Sequence, residues 1–239
     1  MGGRDLGFGG GMDGIHDLGG MHGFGHIDRD DPPLEAWEAA VIAIQGATRR
    51  AGLINIDEFR HGIERMEPGH YLTSPYFEHW LDGIARILAE KNLVDPDELE
   101  SRIAFFDEHP EATAREAMTA APAPPRELPR VHLGTSRAPT VAAKFAEGDA
   151  IRTRLTHVPG HTRLPRYARG KRGRIHLVHG VHVYPDTNAH LQGEDPTWVY
   201  SVRFDPVELW PDDYEDRTVV YLDAFEPYLV AERSGLSGA

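Results

Sequence analysis

Cysteine is absent from all 239 residues. That removes disulfides, thiolate metal ligation and a cysteine nucleophile from this chain. It fits a reducing compartment, and a cytoplasmic location is expected. Long apolar runs are missing too. No stretch approaches the ~18 residues of a membrane span, so no membrane contact is expected. No apolar segment of the kind found in signal peptides follows the first residues. Basic residues are in deficit, 25 Lys and Arg against 38 Asp and Glu, for a net charge of −13. Such a balance argues against a general nucleic-acid binder. Acidic residues are missing from one place: between Arg152 and Arg174 lie eight Lys or Arg and no Asp or Glu. That run reads either as an RNA-binding turn of a small barrel or as a face that meets an acidic partner subunit. The overall charge favours the partner.

Apolar residues make up 40% of the chain and charged ones 26%, an ordinary globular balance. Residues 1–31 carry eleven glycines before Asp30 and cannot offset their ordering entropy alone. They are expected to be disordered, or extended along a partner as an arm, with Met12 as the natural start. Residues 32–107 read as a helical domain. Leu34, Trp37, Val41, Ile44 and Thr48 recur at helical spacing before Gly52, a helix-ending glycine. Asn55 and Glu58 form a capping box for a helix carrying Phe59, Ile63 and Met66, stopped by Pro68. Ser74–Pro75 reads as an N-cap followed by proline in the first turn. Asp95–Pro96 with Glu98 opens a further helix ending near Phe106. Residues 108–140, with prolines from Pro110 to Pro139, read as a linker. In 141–233 short Val-, Ile- and Tyr-rich runs (173–178, 181–184, 199–204, 218–222) alternate with turn residues, as in a small β-barrel. Residues 234–239 are a tail. The fold class expected is therefore α+β: an arm and a helical domain, then an SH3-like barrel.

Several residues carry chemistry but also have plain readings. Arg60 fits a solvated helix pair with Glu64. Arg163 fits one charge in a basic surface, and His161 a turn histidine bonded to backbone. Tyr76 fits a half-buried aromatic at a helix start, and Ile56, Phe59 and Trp80 fit core. His16, His22 and His26 lie in a Gly-rich arm too mobile to pre-form a metal site. No metal ligand set is read in this chain.

Three stretches narrow the choice: MDGIHDLGGMHGFG at 12–25, DEFRHGIERMEPGHYLTSPYFEHWL at 57–81 and PGHTRLPRYARGKRGRI at 159–175. HGVHVYPDTNAH, YSVRF and VELW follow in order. Together they resemble the β subunits of nitrile hydratases across nearly the whole chain. The resemblance implies a lyase that adds water to a nitrile to give an amide, active only with an α subunit, as a heterodimer or an α2β2 heterotetramer. This chain would bind no cofactor. A Co(III) or Fe(III) ion would sit on α in a loop whose cysteines become sulfinic and sulfenic acids; the 57–66 and 184–190 stretches look more like the cobalt branch. Arg60 and Arg163 would clamp those oxidised sulfurs, since a guanidinium offers an oxyanion two parallel donors. Tyr76 would point at the substrate, with Ile56, Phe59 and Trp80 as an apolar wall. Tyr71, Glu64, His79 and His161 would stand behind and orient them. Related subunits acting on thiocyanate or nucleoside nitriles, and a non-enzymatic RNA- or protein-binding barrel, are the alternatives. Two positions depart from the family pattern, Leu191 and Pro211, where glycine is usual.

Overall fold

The computed structural model describes residues 14–21, 23, 25, 26, 29, 30, 33–113, 133–212, 214 and 217–232. The chain divides into a helical unit, Pro32–Leu133, and a second unit made of Met1–Asp31 with Gly134–Ala239. No described helix is long and apolar enough to cross a membrane.

The helical unit contains α1 (Ala36–Arg50), α2 (Ile56–Glu64), α3 (Pro68–Thr73), α4 (Tyr76–Glu90) and α5 (Pro96–Glu108). Its core is Val41, Ile54, Phe59, Ile84 and Ile87, with Leu53, Ile63 and Leu88 packed around it. Helix α1 ends as expected. Gly52 takes φ +66°, and the amides of Gly52 and Leu53 donate to the carbonyls of Arg49 and Thr48 at 3.0 Å, a Schellman end. Helix α4 ends the same way on Asn92, at φ +54°. Its amides at Asn92 and Leu93 reach the Ala89 and Leu88 carbonyls at 2.9 and 2.8 Å. The first end packs Leu53 against the core, and each end is followed by an N-cap, Asn55 or Asp95, that receives the next helix's amides.

Two boundaries differ from the sequence reading. Helix α2 ends at Glu64, and Pro68 does not stop it but opens α3, with Glu67 as N-cap. Ser74 does not cap α4. Its hydroxyl donates back to the His70 carbonyl at 2.6 Å, and Pro75 holds the N-cap position. A proline fixes φ and needs no amide partner, so it serves the first turn equally well. Helices α2 and α4 cross at a pair of glycines. A Cβ on Gly62 would stand 3.0 Å from the Gly83 carbonyl, and one on Gly83 2.9 Å from Ile63 Cγ1.

The second unit holds β1 (Ser136–Arg137), β2 (Ala150–Thr153), β3 (Arg172–His182), α6 (Pro185–Asn188), β4 (Thr197–Phe204), α7 (Pro206–Leu209), β5 (Val220–Phe225) and β6 (Leu229–Ala231). They form a six-stranded antiparallel sheet in the order β5-β4-β3-β2-β6, with β1 also on β3. The α+β class is observed; the closed barrel is not, because no pairing joins β5 to β6 among the described residues. Only the 3-10 turn Glu226–Tyr228 separates those two strands in sequence, and so few residues span about 10 Å at most. The sheet must therefore curl until its edges approach, while β6 spends its three residues on β2.

The runs 173–178 and 181–184 were read as separate strands. Residues 172–182 instead form one strand, with irregularities between Ile175 and Leu177 and between Val178 and Gly180. Gly180, at φ +111°, kinks the strand without ending it, as glycines in bulges do. Inside lie Ile151, Leu164, Ile175, Tyr200, Val202, Phe204 and Tyr228. Most of the expected linker, 114–132, lies outside the described residues, as does the tail; Ser136–Arg137, also read as linker, pairs with β3. Residues 14–21, expected on a partner or disordered, lie on this unit. Asp17 accepts from the Arg166 amide at 2.8 Å and pairs with buried Arg169 at 3.4 Å. Gly19 and Gly20 pass over the stacked rings of Tyr167 and Trp210.

Candidate functional site

In the helical unit the site begins with α2. The Asn55 side chain accepts from the Asp57 and Glu58 amides at 2.9 Å, and Glu58 returns a bond to the Asn55 amide. Glu58 also pairs with Lys91 at 2.5 Å, and Lys91 donates to the Leu53 carbonyl at 2.7 Å, tying α4 to the start of α2. On this fixed helix Phe59 turns into the core and Arg60 outward. The sequence pairs Arg60 with Glu64, but the structure gives it a different partner. Arg60 instead donates from Nη1 to Asp57 at 3.2 Å, the acid being 2% exposed and the arginine 42%. Asp57 lies one turn back, directly under the guanidinium, whereas Glu64 lies 3.4 Å from His61.

An unbroken line of rings runs beside it. Phe59 meets Trp80 edge-on at 5.2 Å, Trp80 meets Phe77 at 5.4 Å and Tyr76 at 5.8 Å, and His79 stacks on Tyr71 at 4.5 Å. Tyr76, expected to be half-buried, is 65% exposed as the first residue of α4. Burial raises the Tyr71 phenol above its ordinary pKa, reinforced by the charge of Glu64 and by Tyr76, so it stays a donor at neutral pH. The Nε2 atom of His79 is buried with no hydrogen-bond partner among the described residues. Ile56 packs against the same core as Phe59. This unit thus brings together Ile56, Phe59 and Trp80 around its core, with Tyr71, Tyr76 and His79 beside them.

Arg163 and His161 lie in the other unit, on the loop between β2 and the 3-10 turn Arg166–Ala168. Gly160, at φ +111°, turns the chain so that His161 is buried, Arg163 exposed and Leu164 buried. The His161 amide donates to His190 Nε2 at 3.3 Å and the Arg163 amide to the Tyr228 hydroxyl at 3.1 Å. The Leu164 carbonyl accepts from Arg169 Nε at 3.1 Å. Behind the loop, Tyr228 donates to Asp186, and Tyr184 and Thr162 bond the same acid. Burial lifts the Asp186 carboxyl above the usual range despite those donors, and it raises both phenols further.

Sequence reasoning missed Asp57, Asp186 and Tyr228. Asp57 had a signal, its spacing of three from Arg60 on a helix; the other two had none, being far from Arg163 in sequence. His16 and His26 join no group of potential metal ligands among the described residues, and His22 lies outside them.

Residues 12–124 match the nitrile hydratase β-subunit N-terminal family model and residues 134–231 the C-terminal one. The low-molecular-weight cobalt-containing nitrile hydratase subunit β of Rhodococcus rhodochrous is 38% identical, over 92% of this chain and 99% of its own length. The cobalt-containing subunit β of Pseudonocardia thermophila is 39% identical, over 91% and 96%. Among solved structures, a recombinant apo-form of thiocyanate hydrolase from Thiobacillus thioparus is similar at 28% identity, over 38% of this chain and 78% of its own, with a TM-score of 0.36. That likeness is too loose to carry an argument.

Proposed function

This chain belongs to the nitrile hydratase β-subunit family, and on that premise we propose how it serves the hydration of nitriles to amides. It works with an α subunit, and the pair assembles as α2β2 in the cytoplasm. The relatives are named as cobalt-containing, and cobalt is the metal we assign, held by α. We class the curled sheet as SH3-like.

One observation carries the reading. Arg60 and Tyr76 are each fixed at the base, by buried Asp57 and by the neighbouring rings, yet each faces outward. Groups held in place and left unburied are what a site completed by a second chain requires. The chemistry of the donors agrees with a role beside a metal rather than on it. A guanidinium cannot ligate a cation, and it pairs well with oxidised sulfur.

When bound, the metal supplies Lewis acidity toward the nitrile. This chain does the rest. Arg60 and Arg163 grip the oxyanions of the α loop from two units and so fix its shape. The Tyr76 phenol donates a hydrogen bond that orients the substrate nitrogen or the attacking water. Ile56, Phe59 and Trp80 exclude bulk water along an apolar wall suited to a weakly polar, linear substrate. Tyr71 and His79 stand behind Tyr76, Asp57 holds Arg60 with Glu64 beside it on His61, and His161 shapes the loop that carries Arg163.

The test is co-expression with an α chain. The complex should contain about one cobalt per αβ pair and hydrate nitriles, and the isolated chain should do neither. A complex that hydrolyses thiocyanate but leaves nitriles untouched would overturn the assignment, as would stoichiometric metal on the isolated chain.

A further inference from the structure

Arg163 sits on a loop with no helical or ladder hydrogen bonds of its own, so something else must fix its backbone. The structure offers a tether at the arginine's own peptide group. The Arg163 amide donates to the Tyr228 hydroxyl at 3.1 Å. That hydroxyl cannot rotate away, because its own proton goes to Asp186. The ring is 4% exposed, wedged between Tyr184 at 5.7 Å and Phe225 at 5.8 Å. Its backbone carbonyl accepts from the Arg154 amide at 2.7 Å, beyond the end of β2. Asp186 in turn stands on the one-turn helix α6 and gathers the hydroxyls of Tyr184, Thr162 and Tyr228 around one carboxyl. Thr162 precedes Arg163, so the acid grips the loop on both sides of the same peptide bond.

We propose that Tyr228 and Asp186 are positioning residues for Arg163, setting the direction in which its guanidinium leaves the sheet unit. The inference rests on the reading of Arg163 as a clamp on the α loop. The carboxyl and the phenol make a relay from the sheet core to a solvent-exposed cation. A carboxyl partly withdrawn from water is costly to keep, and plain loop closure does not call for one.

The experiment uses the αβ complex, with Arg163→Lys, Arg163→Ala, Tyr228→Phe, Asp186→Ala, Asp186→Asn and Tyr228→Phe combined with Arg163→Ala. Four readouts are taken: kcat and KM on one nitrile, the visible metal–thiolate absorption, and hydrogen exchange of the peptide spanning 160–164. Tyr228→Phe is expected to lower kcat about tenfold with KM little changed, to shift the absorption and to speed exchange. Asp186→Ala should match it, and Asp186→Asn, which still accepts from the phenol, should recover most of the loss. The combined variant should be no worse than Arg163→Ala alone, since a residue acting through Arg163 has nothing left to position. If Tyr228→Phe and Asp186→Ala both behave as wild type while Arg163→Lys is impaired, the positioning role is wrong and the clamp survives. Additive losses in the combined variant would likewise reduce Tyr228 to a packing residue. Wild-type kinetics and absorption in Arg163→Lys would instead sink the clamp itself. Should Tyr228→Phe fail to assemble, the Asp186 pair decides, because it leaves the ring in place.

Discussion

Arg60 rides on a helix whose own hydrogen bonds already fix the backbone beneath it, and the one tether added is to its side chain, from Asp57. Arg163 rides on a loop, and the tethers there go to backbone atoms, from Tyr228 and His190. Regular secondary structure thus leaves only the rotamer to be specified, by one local acid. An irregular segment needs its peptide groups specified first, by groups drawn from distant parts of the chain. The helical unit places chemistry cheaply and locally; the sheet unit does so through long-range contacts.

Breaking both tethers at once gives the largest effect. Arg60→Lys and Arg163→Lys should each assemble with α yet lose activity about ten- to a hundredfold, since lysine keeps the charge but not the fork. On the proposed clamp, in which both residues act on one α loop, the double variant should lose less than the product of the single losses. Full additivity in turnover would mean that the two units work independently. Next comes Tyr76→Phe, which removes one donor from the helical unit and keeps the ring. Turnover should fall roughly tenfold with cobalt content unchanged; unaltered kcat would make Tyr76 part of the wall only.

Stability changes should stay within one unit. Gly62→Ala forces a methyl against the Gly83 carbonyl at the α2–α4 crossing, and overpacking of this kind costs about 1–3 kcal/mol. Thermal unfolding followed by helix signal should move down by several degrees. An unchanged midpoint would show that the helices part without cost. The smallest effect has the opposite sign and belongs to the sheet unit. Leu191 is exposed and holds φ +56°, a conformation that costs a side-chain-bearing residue roughly 1–2 kcal/mol. Glycine there also loosens the unfolded chain, so Leu191→Gly should gain somewhat less than 1 kcal/mol. Calorimetry showing a lower midpoint would refute the strain.

The helices were legible because caps and period act over four residues. Asn55 with Glu58, Gly52 and Asp95 all do what their spacing implies. Pro68 and Ser74 misled, since a proline can open a helix as readily as end one, and a serine hydroxyl has more than one carbonyl in reach. Strand positions in the second unit were legible as apolar runs, but closure was not. It depends on whether β5 and β6 pair, and no local pattern states that. Leu191 was legible as a departure from the family's usual glycine, and its positive φ explains why glycine suits the position. The same limit hid the tethers of Arg163. Asp186 and Tyr228 lie in unrelated turns until the sheet curls and joins them.

The pairing of β2 with β6 carries a consequence for the order in which the molecule is built. Arg152 meets Glu232, a partner 80 residues further along the chain, so on the ribosome the second strand emerges long before the strand that completes its edge. Tyr228 belongs to that same late segment. The helical unit has no such wait, since its core comes from residues 41–88. During synthesis Arg60 can therefore stand in its final orientation while the loop of Arg163 is still unanchored. Docking of α during translation would meet one arginine ready and one not.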